Sequence, residues 1–147
     1  MSAPILASSC ARATTAEEAR YSIDRPIGGR SARIIALDDA AAGVVERVAE
    51  LPWGESRFFP DAAAFHADTD LRDADVAIMV ATAEARAETA SAIARACASR
   101  GIMTAGIVLG DRLEVEAAVA ALRPYARNLM SSEDEDDVAA VLTALRA

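Results

Sequence analysis

The sequence predicts an α/β domain of the three-layer, Rossmann-like, doubly wound type, with a mostly parallel sheet of about five strands and helices on both faces. Three observations predict it. From residue 32 onward, short apolar runs alternate with alanine-rich stretches of helical period. Most of those runs are followed by Asp, Thr or Ser, residues that open helices. The chain is 53% hydrophobic but only 4% aromatic, so its core is built from Ala, Val, Ile and Leu.

Residues 1–31 read as a flexible N-terminal arm, rich in small residues with Pro4, Pro26, Gly28 and Gly29, and with one short helical stretch around Thr15–Tyr21. Residues 32–147 read as a single domain, a length that can bury a core. Arg33–Leu37 is the first strand. Ala40–Leu51 follows as a helix with Val44, Val45, Val48 and Leu51 at helical spacing, closed by Pro52-Trp53-Gly54. Arg57-Phe58-Phe59 is a short second strand, and Asp61–His66 a turn of helix. Asp75–Ala81 is the clearest central strand.

Glu84–Arg100 is the next helix, with Thr82 as its cap and Gly101 ending it. Ile102–Leu109 is the fourth strand, and Gly106 within it predicts a close backbone approach or a bulge. Leu113–Leu122 is a helix, Ala126–Met130 the fifth strand, and residues 133–146 the last helix, capped by Ser131 or Ser132. Val138, Val141, Leu142 and Leu145 form its expected buried stripe.

Composition excludes several function classes. All fifteen basic residues are arginines, so no lysine exists to form a Schiff base, serve a P-loop or act as a general base. The formal net charge of −8 and the lack of a basic run argue against nucleic acid, whose binding rests on phosphate neutralisation. No segment is long and apolar enough to span a membrane, and no signal-peptide pattern opens the chain. Cys10 and Cys97 form no CxxC, so neither a zinc site nor a structural disulfide is indicated, and a cytoplasmic location is the expectation.

Ligands of doubly wound folds sit beyond the carboxyl ends of the strands. There the chain offers Asp38, Asp39, Thr82 and Arg86 as a candidate ligand edge. Asp38, Asp39 and Asp111 are a candidate Mg2+ set, because hard cations take carboxylates. Each of these acids also suits a helix start, where a carboxylate meets free amides. The run Glu133-Asp134-Glu135-Asp136-Asp137 reads the same way and lacks EF-hand spacing. His66, the single histidine, has no Ser or Cys motif to serve.

Three segments, Leu71–Val80, Gly101–Val108 and Ala121–Leu129, resemble in order the GTP-binding core of the FtsZ/tubulin family. That resemblance implies a nucleotide-binding fold. It places the family's glycine-rich signature on Ala81–Thr89, which holds no glycine, and its first phosphate turn on Leu37-Asp38-Asp39-Ala40. Loops that bring backbone amides to phosphates need room, and carboxylates oppose the ligand. Ile34-Ile35-Ala36-Leu37-Asp38-Asp39 also resembles the first strand and acidic pair of response-regulator receiver domains. That second resemblance places the phospho-acceptor aspartate near Val80 or Ala81 and the lysine near Met130 or Ser131, and both are missing.

The expected function is a non-catalytic binding or regulatory module with a degenerate nucleotide-binding edge, acting through a protein partner or as a homo-oligomer. No cofactor is expected. The alternatives are a Mg2+-dependent nucleotide-binding protein or sensor, and a pseudo-receiver signalling domain.

Overall fold

A computed structural model describes residues 30–147. The expected arm at 1–29 lies outside the described residues. Its last two expected positions belong to the folded domain. The Arg30 amide donates to the Arg146 carbonyl at 2.5 Å, and the Ser31 amide donates to Asp75 Oδ2 at 2.9 Å.

Five strands, β1 (Ala32–Ala36), β2 (Arg57–Phe59), β3 (Val76–Ala81), β4 (Met103–Leu109) and β5 (Asn128–Ser132), form one sheet in the order β2-β1-β3-β4-β5. Every pairing is parallel. The helices are α1 (Asp39–Ala49), α2 (Ala67–Asp70), α3 (Ala87–Ala98), α4 (Arg112–Leu122) and α5 (Asp136–Ala144), with short 3-10 turns at Ala62–Ala64 and Arg123–Tyr125. This strand order is that of flavodoxin-like doubly wound folds, not the order of the dinucleotide-binding ones.

Alternation along the strands divides the core in two. Ile34, Ile78, Val80 and Ile107 pack on one face against Val44, Val45 and Val48 of α1 and Val138 and Leu142 of α5. Ile35, Met79 and Val108 pack on the other against Ala90, Ile93 and Cys97 of α3 and Val115 and Leu122 of α4. β1 and β3 are buried along their whole length, as a sheet covered on both faces requires. The Cys97 thiol sits in this apolar layer, and burial pushes its pKa up to about 11.

The close approach expected at Gly106 is present: a Cβ there would stand 2.7 Å from Leu129 Cδ1 on β5. Gly101 adopts φ +68 just past α3, which suits the expected helix stop. Several boundaries differ from expectation. α2 follows the Asp61–His66 segment and was not expected. α3 begins at Ala87 rather than Glu84; Thr82 Oγ accepts from the Glu84 amide at 3.3 Å in a turn that precedes the helix. β5 starts two residues late because Pro124 sits in the 3-10 turn that precedes it. Ser131 and Ser132 therefore belong to β5, paired with Val108 and Leu109. Several apolar helix residues are exposed or half-exposed, Val141 of the expected α5 stripe among them. Leu113 stands 80% exposed at the start of α4, Leu51 lies just past α1, and Leu145 ends α5.

Candidate functional site

The strand order reverses between β1 and β3, so the crevice where such folds receive ligands lies beyond the carboxyl ends of those two strands. Asp38, immediately after β1, spans it. Its Oδ2 accepts from the Thr82 amide at 2.7 Å, and its Oδ1 accepts from the Thr82 hydroxyl at 3.0 Å and the Ala41 amide at 2.8 Å. One carboxylate thus caps α1 and ties the end of β1 to the residue after β3. The sequence places Asp there for both jobs: extended backbone at Asp38 aims the side chain at the first free amides of the helix.

The other strand ends repeat the arrangement. After β2, Asp61 Oδ1 accepts from the Ala63 amide at 2.9 Å. After β4, Asp111 Oδ1 accepts from the Leu113 amide at 2.9 Å. After β5, Ser132 Oγ accepts from the Asp134 amide at 3.0 Å, and Asp134 Oδ1 accepts from the Asp136 amide at 2.9 Å. At these four strand ends, amides that would face an anionic ligand are taken by the chain's own carboxylates and hydroxyls, whereas α3, after β3, starts without a side-chain cap.

Of the residues offered as a ligand edge, the structure joins Asp38 and Thr82 directly. Asp39 is exposed in the first turn of α1, and Arg86 is exposed at the start of α3. The proposed Mg2+ set is not assembled. No group of three His, Cys, Asp or Glu able to hold a metal occurs among the described residues. The expectation that Asp111 would meet Asp38 and Asp39 assumed neighbouring strands, but β3 lies between β1 and β4. That separates the two strands by about 9.6 Å, twice the spacing of neighbours. What does form beside Asp38 is a shallow cleft of about 250 Å³ that brings Asp38, Asp39, Glu46 and Asp61 to its walls with no basic residue among them. An anionic phosphate has no counter-charge there.

The sequence reading missed a polar cluster at the opposite end of the sheet. Arg33 lies inside the apolar run of β1 and is 4% exposed. Its Nε donates to the Asp70 carbonyl at 2.5 Å, one terminal nitrogen to Ser31 Oγ at 2.8 Å and the Ala32 carbonyl at 3.1 Å, and the other to the Arg72 carbonyl at 3.0 Å. Asp70, also buried, accepts from the His66 amide at 2.7 Å and stands 3.5 Å from Arg57. Burial and the neighbouring Arg57 push the Arg33 pKa down, against the pull of Asp70, Asp73 and Asp75. The signal was available: an arginine amid apolar residues must find several acceptors if the strand is central.

No family model matches the sequence. No curated protein matches it. Among solved structures, a response regulator from Colwellia psychrerythraea is similar at 15% identity, with 80% of this chain and 96% of that one covered and a TM-score of 0.45. None of these comparisons supports the FtsZ/tubulin resemblance. No helix among the described residues is long and apolar enough to cross a membrane.

Proposed function

We propose that this domain is a non-catalytic binding module of receiver-like architecture that acts through protein contacts and takes no phosphoryl group. The observation that carries the reading is the Asp38–Thr82 bridge, which ties the two strand ends of the β1–β3 crevice together with the chain's own side chains. Strand order speaks only for the fold; the reading of function rests on this edge. A receiver's acceptor carboxylate belongs at the end of β3, and there the chain has the buried Ala81 followed by Thr82. A receiver's lysine has no counterpart in a chain without lysine.

The test is to incubate the protein with acetyl phosphate and Mg2+, and separately to follow thermal unfolding with GTP, ATP and NAD, with and without Mg2+. The expected result is an unchanged mass and an unchanged melting temperature. A ligand at one hundred times its Kd would add about 2.7 kcal/mol of stability, which the melt resolves. A gain of one phosphoryl group, or a Mg2+-dependent shift lost in Asp39→Ala, overturns the reading.

A further inference from the structure

The two edges of the sheet are guarded differently. β2 is three residues long, opens on the exposed Arg57 and is followed by Pro60, all features that discourage strand addition. β5 is five residues long, Asn-Leu-Met-Ser-Ser, with no charge and no proline. Met130 at its centre is 42% exposed. The Ser132 carbonyl turns inward to the Gly110 amide at 2.9 Å. Peptide groups alternate sides along a strand, so those of Leu129 and Ser131 face outward. On the α5 side the edge runs into an open groove of about 550 Å³ whose apolar walls include Met103, Ile107, Met130 and Val141 and which Arg123, Arg127 and Asn128 also line. That groove is why Val141 and Leu145 are only half-buried.

Charge flanks this neutral strand asymmetrically. Arg123 and Arg127 precede it and are exposed; Glu133 to Asp137 follow it and are exposed. We infer that β5 pairs antiparallel with β5 of a second copy of this chain across a two-fold axis at Met130, extending the sheet through both subunits. In that register Leu129 and Ser131 exchange backbone hydrogen bonds with their opposite numbers, and Met130 meets Met130. Arg127 stands opposite Glu133 of the second copy, and the symmetry makes that pair twice. A parallel alignment would set Arg127 beside Arg127 and acidic run beside acidic run, which is unfavourable. The overall negative charge opposes association weakly, because charges beyond about 8 Å are screened at physiological salt. This names a partner for the proposed protein-contact module. It deepens that reading, and its test does not depend on phosphoryl or nucleotide chemistry.

Sedimentation velocity on the full chain over a concentration series tests it. The wild type is expected to be a dimer that weakens as salt rises. Met130→Arg and Arg127→Glu are expected each to raise the dimer Kd about tenfold or more, with the circular dichroism spectrum unchanged because both side chains are exposed. The double variant R127E/E133R, which swaps the pair, is expected to restore the dimer. A wild type that stays monomeric up to its solubility limit overturns the inference. So does a dimer indifferent to both single variants, or one that the charge swap fails to restore. An oligomer that behaves as expected in a protein that also takes a phosphoryl group would leave the interface standing and remove only the functional reading.

Discussion

At the amino end of the sheet, β1 is held to the segment before β3 by a cation, Arg33, which donates to the carbonyls of Asp70 and Arg72. At the carboxyl end, β1 is held to the residue after β3 by an anion, Asp38, which accepts from the amide and hydroxyl of Thr82. The tie is the same and the charge is reversed, and chain direction explains the reversal. In a parallel sheet with returning helices, helices finish at the amino end and leave free carbonyls there, while they start at the carboxyl end and leave free amides. A donor-only guanidinium suits the first place and an acceptor-only carboxylate the second. The comparison also bears on function: the Thr82 and Ala41 amides at the carboxyl end, of the kind that helix starts can offer to phosphates, are used here for internal cohesion.

The comparison can be broken from either side. Arg33→Ala is expected to have the largest effect, about 3 kcal/mol of lost stability in a urea melt, because it strips partners from the Asp70 and Arg72 carbonyls and from Ser31 Oγ. Arg33→Lys should recover only part of that, since an ammonium cannot reproduce the fork. Asp38→Ala should cost about 2 kcal/mol, the sum of a lost helix cap and an unpaired Thr82 amide. If Asp38 served a cation instead, its removal would stabilise the Mg2+-free protein by relieving carboxylate repulsion, so the sign of the change separates the two roles. The comparison sharpens if both losses persist in the presence of every nucleotide tried.

The smallest effect belongs to an exposed pair. Arg47 on α1 donates to Glu135 at the start of α5 through two bonds of 2.9 and 2.8 Å. That hydrogen bonding holds the Glu135 carboxyl below its ordinary range. A depressed carboxyl contributes stability above its unfolded pKa, and that contribution disappears as pH falls through the folded value. The difference in stability between wild type and Glu135→Gln should therefore be small at neutral pH and vanish in acid, measured by denaturant melts across pH. A difference that grows on acidification would contradict the pairing.

The parallel α/β fold was legible because its signal is local. Val44, Val45 and Val48 recur at helical spacing, β3 reads as an unbroken apolar run and β1 as one interrupted only by Arg33, and Asp38, Asp61 and Asp111 sit where helices start. The capping role of Asp111 followed from its position before α4. The separation of Asp111 from Asp38 and Asp39 turns on something not local, the insertion of β3 between β1 and β4. Thr82 was legible as a capping type but not as the partner of Asp38, forty-four residues away. Ser131 and Ser132 read as a helix cap, and pairing with β4 drew them into a strand instead.

The sequence by itself determined the class of fold, its alternating elements, an aromatic-poor core and the absence of lysine chemistry. Those properties follow from residue type and short-range period, which act on each segment alone. Only the tertiary structure decided the strand order, the bridge from Asp38 to Thr82, the burial of Arg33 and the exposure of a neutral edge at β5. Each of these depends on which distant segments become neighbours, and a charged side chain such as Arg33 or Asp38 takes its role from the partners that packing brings within hydrogen-bond reach.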